Sequence, residues 1–272
     1  MINQIMTNTQ WETTTISNID DLKNTLYTLR KRSWITRGQS QCWGTLCPKI
    51  DREPYKSKLP KRGNTIDFEL LSIRKFQSIA KPFTLESELQ ELEYDLNTLM
   101  VLQHFGLPTR FLDWSIDPYV AAYFSACQFP DSDCELWAFD NSKYYEQGDK
   151  QWQYFTNLNS PVTTTKLYAI AIEKSQPERD FFVCIQDHLY HHRIQAQRGI
   201  FSLTAFYGKD HADSLCELIN DKDYYHRYII RADLKNELLT YLKSNHRIEH
   251  STIYPDIIGA IDYVKSELNK IL

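Results

Sequence analysis

Apolar positions along the chain recur first at helical spacing and later in runs of β-branched and aromatic residues. Leu22, Leu26 and Leu29 follow Ser17 and Asp20, a variant of a capping box, and predict a first helix ending near Lys31. The residues before it, up to Ile16, read as an edge strand or an irregular lead-in. Trp34 to Gln39 reads as a short strand with Arg37 beside Gly38, where a glycine lets a second backbone or a ligand approach closely. Residues 40–64 hold three prolines, several lysines and no periodicity, which predicts a long surface loop. Ile66, Leu70, Ile73 and Phe76 mark a helix from Thr65 that stops before Pro82. Leu85, Leu89, Leu92, Leu96 and Leu99 form the apolar stripe of a core-packing helix, too short for a coiled coil.

Further on, Glu135 to Asp140 reads as a strand and residues 141–165 as a polar, tyrosine-rich insertion. Lys166 to Glu173, Ile200 to Phe206 and Tyr224 to Ala232 read as strands, and Asp187 to Gln197 as a short helix. Two helices close the chain, Leu234 to Lys243 and Pro255 to Ile271. Helices dominate the first half and strands the second, which fits α+β better than alternating βαβ units. The expectation is a helical N-terminal part packed on a mainly antiparallel sheet. With no repeat, low-complexity tract or linker, one domain spans 1–272. Its parts are a lead-in and helix (1–32), a core carrying the motifs (33–206), and a C-terminal strand with helices (207–272).

The richest stretch runs from Gln103 to Phe124, placing an amide, a His, an Arg, an Asp and a Trp in a turn between two apolar helices. Gly106 and Pro108 stop the incoming helix, and Asp117 and Pro118 start the next as N-cap and first helical residue. Two readings stand: a buried knot in which Arg110 and Asp113 satisfy each other, or the floor of a site. Arg37 with Gln39, Gln103 with His104, and Gln197 before Gly199 also fall where strands end or turns form.

Composition narrows the classes. A 42% hydrophobic, 24% charged chain has material for a core. The net charge of −4 argues against tight non-specific binding of nucleic acid, which needs phosphate neutralisation. The run Lys56, Lys58, Lys61 and Arg62 reads as a solvated loop. Six cysteines without a Cys-x-x-Cys pair read as reduced thiols, with Cys127 buried and inert and Cys134 no better a nucleophile. The absence of a bilayer-length apolar run and of signal-peptide features points to the cytoplasm. His188, His191 and His192 cluster, and His246 and His250 lie four apart. Neither set has a Cys or carboxylate at a metal-ligand spacing, so these read as surface or hydrogen-bonded histidines. There is no Gly-x-Gly-x-x-Gly, no Walker-type Gly-Lys-Ser/Thr and no Gly-x-Ser-x-Gly elbow; a phosphate here must be held by arginine.

Four segments carry a resemblance to a known family. Trp34-Ile35-Thr36-Arg37-Gly38-Gln39 resembles the segment that names the FRG domain, with Thr36 where Phe is usual. Gln103-His104-Phe105-Gly106-Leu107-Pro108-Thr109-Arg110-Phe111-Leu112-Asp113-Trp114, followed by Pro118, Ala121, Tyr123 and Phe124, is similar to its longest motif. Gln197-Arg198-Gly199-Ile200-Phe201 resembles its Gln-x-Gly-x-Phe element, and Ile253-Tyr254-Pro255-Asp256 with Gly259 its C-terminal signature. The resemblance implies a protein of bacteria or their phages, of the defence or toxin type.

By analogy of order with ADP-ribosyltransferase-like folds, it implies an NAD-using enzyme that transfers or hydrolyses ADP-ribose. Arg37, Gln197 and Asp113 are then the candidate catalytic residues. Gln39, Gln103, His104, Thr109, Arg110, Trp114 and Tyr123 are the candidates for ligand binding, with no metal. Glu135 is a second carboxylate for the general-base role, since the amide of Gln197 cannot fill it. A second reading is a non-catalytic module that binds a nucleotide, a nucleic-acid end or a protein. A third is a nuclease, with Asp113 and Asp117 as its carboxylates. The expected partner is NAD or another nucleotide, with no membrane and with the acceptor left open.

Overall fold

The computed structural model describes residues 11–80, 82, 95–156, 168–169, 172, 177–186 and 192–269. In chain order come β1 (Glu12–Ile16), α1 (Ile19–Lys31), β2 (Ile35–Gln39), the single turn α2 (Tyr55–Lys58), α3 (Arg62–Ala80) and α4 (Asp95–His104). The middle holds β3 (Leu112–Ser115), α5 (Pro118–Ala126), β4 (Cys134–Phe139), α6 (Asn141–Thr156), β5 (Phe182–Ile185), α7 (His192–Gln197) and β6 (Gly199–Thr204). The end holds α8 (His211–Ile219), β7 (Tyr225–Ile230), α9 (Lys235–Tyr241), α10 (His250–Ile253) and α11 (Ile257–Asn269). Among the described residues the strands form one sheet in the order β1-β7-β4-β2-β3-β6-β5. Only β1 and β7 pair in parallel, so the fold is α+β with a mainly antiparallel sheet. No helix among the described residues is long and apolar enough to cross a membrane.

Local chemistry accounts for the helix ends. α1 is capped by Asn18, whose side chain accepts from the Asp21 amide, one position after Ser17. Asp20 and Asp21 in its first turn and Arg30 and Lys31 in its last complement the helix dipole. α5 begins as its sequence predicts, with Asp117 accepting from the Tyr119 amide and Pro118 in the first helical position. Gly106 takes the left-handed conformation (φ +88°) that closes the chain after α4.

Several expectations change. Residues 112–115, read as part of a polar turn, are the strand β3. Four residues between two turns show too little alternation to reveal a strand. The expected insertion at 141–165 begins as α6, whose Tyr144 is buried. Tyr168 and Ala169, read as strand, are helical; the rest of 166–173 lies outside the described residues except Ile172. The predicted stripe over residues 85–94 and the start of the 187–197 helix also lie outside them. β5 and α8 were not anticipated. The 40–64 loop is not simply a surface loop, because Leu46 and Ile50 are fully buried.

One face of the sheet is covered by α6 and α8, over Trp114, Trp137, Phe139 and Phe182. On the other face α1, α5 and α9 pack over Leu136, Ala138 and Ile230, while α3 and α4 pack over Phe201, Leu203 and Val183. These two groups of helices sit on different halves of the sheet. The halves meet where β2 and β3 pair at a single position, Thr36 opposite Ser115. There the Thr36 hydroxyl donates to the Ser115 carbonyl (3.1 Å), so Thr36 stitches the two halves. Past that point the strands diverge and the sheet opens.

Gly38 sets the depth of α5 against β2. A Cβ built on it lies 1.9 Å from the Ala121 carbonyl oxygen, so the close approach is made by a second backbone. Gly38→Ala must push α5 off the sheet. We expect it to lower stability by about 3 kcal/mol in a denaturant titration, the upper end of overpacking penalties.

Candidate functional site

A cavity of about 310 Å³ occupies the opened seam. β2 contributes Arg37, Gly38 and Gln39; β3 contributes Asp113; the end of α4 contributes Gln103 and His104; α7 contributes Gln197. Trp43 and Arg52 from the 40–64 loop and Tyr254 from beyond α10 form its rim.

At its centre the Arg37 guanidinium donates through Nη1 to the Asp113 carbonyl (2.5 Å) and lies 3.9 Å from Asp113 Oδ2. Burial lowers the Arg37 pKa to about 10, partly offset by Asp113, and the group remains cationic at neutral pH. Burial raises the Asp113 carboxyl above its ordinary value against the pull of Arg37 and the Gln103 hydrogen bond. The Asp113 side chain is 52% exposed and lines the cavity.

A relay fixes that carboxylate. The Thr109 hydroxyl accepts from the Phe111 amide (3.1 Å), so its own proton donates to Gln103 Oε1 (2.6 Å). This turns the Gln103 NH2 toward Asp113 Oδ2 (3.0 Å). Arg37 Nε and Gln39 Oε1 are buried atoms that find no hydrogen-bond partner among the described residues. Buried polar atoms are rarely left this way, and both residues line the cavity.

Gln197 is held at both ends. Its carbonyl accepts from the Ser115 hydroxyl (2.8 Å), and its Nε2 donates to the Ile253 carbonyl (3.3 Å). The C-terminal signature braces the same wall. Arg193 pairs with Asp256, its Nη2 donating to Oδ1 at 2.6 Å, and its guanidinium lies 5.4 Å from the Tyr254 ring centre. Gly259 passes so close to Tyr254 that a Cβ would lie 2.4 Å from its carbonyl oxygen.

The structure thus gathers Arg37, Gln39, Gln103, His104, Asp113, Trp114 and Gln197 at one cavity and leaves Thr109, Arg110 and Tyr123 outside its lining. The expected Arg110–Asp113 pair does not form. Arg110 Nε donates to Glu69 Oε2 (2.9 Å) and its amide to Glu69 Oε1 (3.0 Å), inside the core. Arg110 precedes β3, and the glutamate that answers it comes from α3, 41 residues away. Thr109 acts through Gln103, and Tyr123 is a core residue of α5. Trp114 reaches the cavity wall but packs edge-on against Phe139, with its indole N–H donating to Ser202 (2.8 Å). A ring held on its edge is not a free stacking face.

Glu135 is unsuited to base chemistry. It is fully buried and bonded to Arg227 (2.6 Å), Gln39 (2.6 Å) and the amides of Trp43 and Gly44. Burial pushes the Cys127 thiol up to about 11, in keeping with an inert cysteine. No group of three or more His, Cys, Asp or Glu among the described residues is placed to hold a metal ion; His188 and His191 lie outside them.

Trp43, Arg52 and Tyr254 are cavity residues that the sequence reading did not select. The one signal available was an exposed-type aromatic inside a long loop rich in cations.

Behind the site, Asp51 is buried with Oδ1 unpartnered among the described residues, and burial raises its pKa to about 6 against the pull of Arg110. The folded state therefore binds this proton more tightly than the unfolded state. The associated stability is full below pH 3.8 and is lost as pH rises toward 6. We expect Asp51→Asn to gain on the wild type by up to about 3 kcal/mol across that window and to hold the gain above it, read from paired urea titrations. Breaking the buried Arg110–Glu69 pair with Glu69→Gln is expected to cost about 3 kcal/mol in the same assay.

Residues 32–134 match the family model described as FRG domain. The matched span holds β2, α4 and β3, and with them Arg37, Gln39, Gln103, His104 and Asp113; Gln197 and Tyr254 lie beyond it. No curated protein and no solved structure matches the chain. The two strands that part to make the cavity both lie inside the span that matches the FRG domain.

Proposed function

We propose that this protein binds NAD in the seam cavity and breaks its nicotinamide–ribose bond, releasing or transferring ADP-ribose. The observation that carries the reading is the placement of Arg37, Asp113 and Gln197 around one cavity in the split between β2 and β3.

The chemistry suits those groups. Nicotinamide leaves with the bonding electron pair, and positive charge develops on the ribose ring in an oxocarbenium-like state. The Asp113 carboxylate, half-exposed and oriented by Gln103, stabilises that charge. It also takes the proton from the water or acceptor hydroxyl that attacks C1′. Arg37 supplies a planar fork for phosphate. Gln197 provides a fixed amide for a ribose hydroxyl, which needs no base. His104 and Gln39 complete the polar wall, Gln39 with an unspent carbonyl oxygen.

Such an activity drains NAD from a cell, which is the chemistry of a toxin-type or defence effector. A non-catalytic binding module uses the same Arg37 and Trp43 without turnover, and the assay below separates the two.

Purified protein incubated with NAD is expected to release free nicotinamide, and Asp113→Asn to slow release about 100-fold or more. Arg37→Ala is expected to abolish it at sub-saturating NAD. The ionised Asp113 is the active form and its pKa is raised, so the acid limb of the pH–rate profile should lie above the ordinary carboxylate range and vanish in Asp113→Asn. Binding without release in the wild type assigns the module instead. Expression in bacteria should lower cellular NAD and arrest growth, and the Arg37→Ala protein should do neither.

A further inference from the structure

A second cavity, of about 490 Å³, lies against the first. Arg37, Arg52, Gln103 and Asp113 line both, so the central ion pair is a shared wall and not the end of a pocket. The far side of the second cavity is formed by Lys49, Tyr55 and Leu107. We propose that the two cavities are one bipartite site for a dinucleotide, with the phosphate linker held between Arg37 and Arg52 and the second nucleoside lobe seated against Tyr55. This rests on the reading of the first cavity as the nicotinamide–ribose site.

Volume and charge carry the inference. At about 310 Å³ the first cavity sits at the lower limit for a ligand of drug size, enough for one ring and its ribose. A dinucleotide has two such lobes, and the second cavity offers further space in contact with this wall. The cations cluster where the linker must pass. Arg37 keeps Nε unpartnered. Arg52 spends Nε (2.8 Å) and Nη2 (2.6 Å) on the Cys47 carbonyl, which fixes its plane 5.2 Å from the Trp43 ring centre. Lys49 Nζ gives one donor to the Gly106 carbonyl (2.7 Å) and has two more.

Three cations face two carboxylates, Asp113 and Glu53, on these walls, leaving a positive balance for an anionic linker. The sequence contains no glycine-rich phosphate cradle, and an arginine pair is the remaining device. The exposed ring of Trp43 at one end and Tyr55 at the other give each lobe an aromatic neighbour.

Calorimetric titration of the full chain with NAD, nicotinamide mononucleotide and ADP-ribose tests this. In the wild type NAD should bind at least tenfold more tightly than the mononucleotide, with ADP-ribose close to NAD. Leu107→Trp fills the second cavity from a half-buried position, and Lys49→Glu reverses charge at an exposed one. Each should remove the added affinity of NAD; Leu107→Trp should leave the mononucleotide unchanged, whereas Lys49→Glu, which also acts on the phosphate of the mononucleotide, should weaken both, with melting temperature as the control for folding. Equal affinities in the wild type, a preference that both variants retain, or no binding of any of the three overturns the bipartite site. Tight NAD binding that both variants weaken, without nicotinamide release, keeps the bipartite site and removes the cleavage reading, so the two can fail separately.

Discussion

One narrow contact organises this molecule. Thr36 and Ser115 are the only register pair between β2 and β3, and they join two halves of a sheet that are each well paired internally. A fully zipped sheet would leave no space here, and a fully separated one would expose two edges with unpaired backbone groups. The single contact lets the strands part after one residue, and the polar ends of both strands turn into the gap. Ser115 anchors the arrangement from three sides. Its carbonyl accepts from Thr36, its hydroxyl donates to the Gln197 carbonyl, and the same hydroxyl accepts from the Asp117 amide at the start of α5.

The ion pairs divide by tightness in a way that separates scaffold from site. Arg110–Glu69 and Arg227–Glu135 are buried, close and multiply hydrogen-bonded. Arg193–Asp256 holds the C-terminal signature with two parallel bonds, and that pairing pushes the Asp256 carboxyl well below its usual range. Charges satisfied so completely brace the chain and have little left for a ligand. Arg37–Asp113 is different, with 3.9 Å between the charged groups and a half-exposed carboxylate side chain. The loosest buried arginine pair is the one that faces the cavity. Polar networks on the opposite face follow the structural rule, since Trp114, Ser202 and His211 form a closed chain and burial lowers the His211 pKa to about 3.

Helix starts and stops were legible because they depend on a few adjacent residues. Asp117-Pro118 and Gly106 act through their own backbone geometry, and the structure shows them doing so. The apolar spacing of Leu22, Leu26 and Leu29 revealed α1, and the β-branched and aromatic runs revealed β6 and β7. β3 was not legible, because a four-residue strand between two turns has too few positions to show a period. The 141–165 segment read as an insertion because its polar, tyrosine-rich surface hides the face that α6 presents to the core.

The sequence by itself determined the α+β class, most element boundaries and the residue types of the site, since each follows from local propensity and capping. It also singled out Arg37, Gln103, Asp113 and Gln197, although it expected them at strand ends and turns and they lie in β2, α4, β3 and α7. Tertiary structure decided the partners. Arg110 lies three residues from Asp113 yet pairs with Glu69 from another helix, while Asp113 faces Arg37, 76 residues away. Chain proximity could not settle that choice, because it depends on where α3 packs behind Arg110 and on where the sheet splits beside Asp113. The Trp43–Arg52 rim likewise exists only because a loop without periodicity folds back over the seam. Long-range pairing energies, not local preference, fix such contacts, and they become visible only when the strands are set side by side.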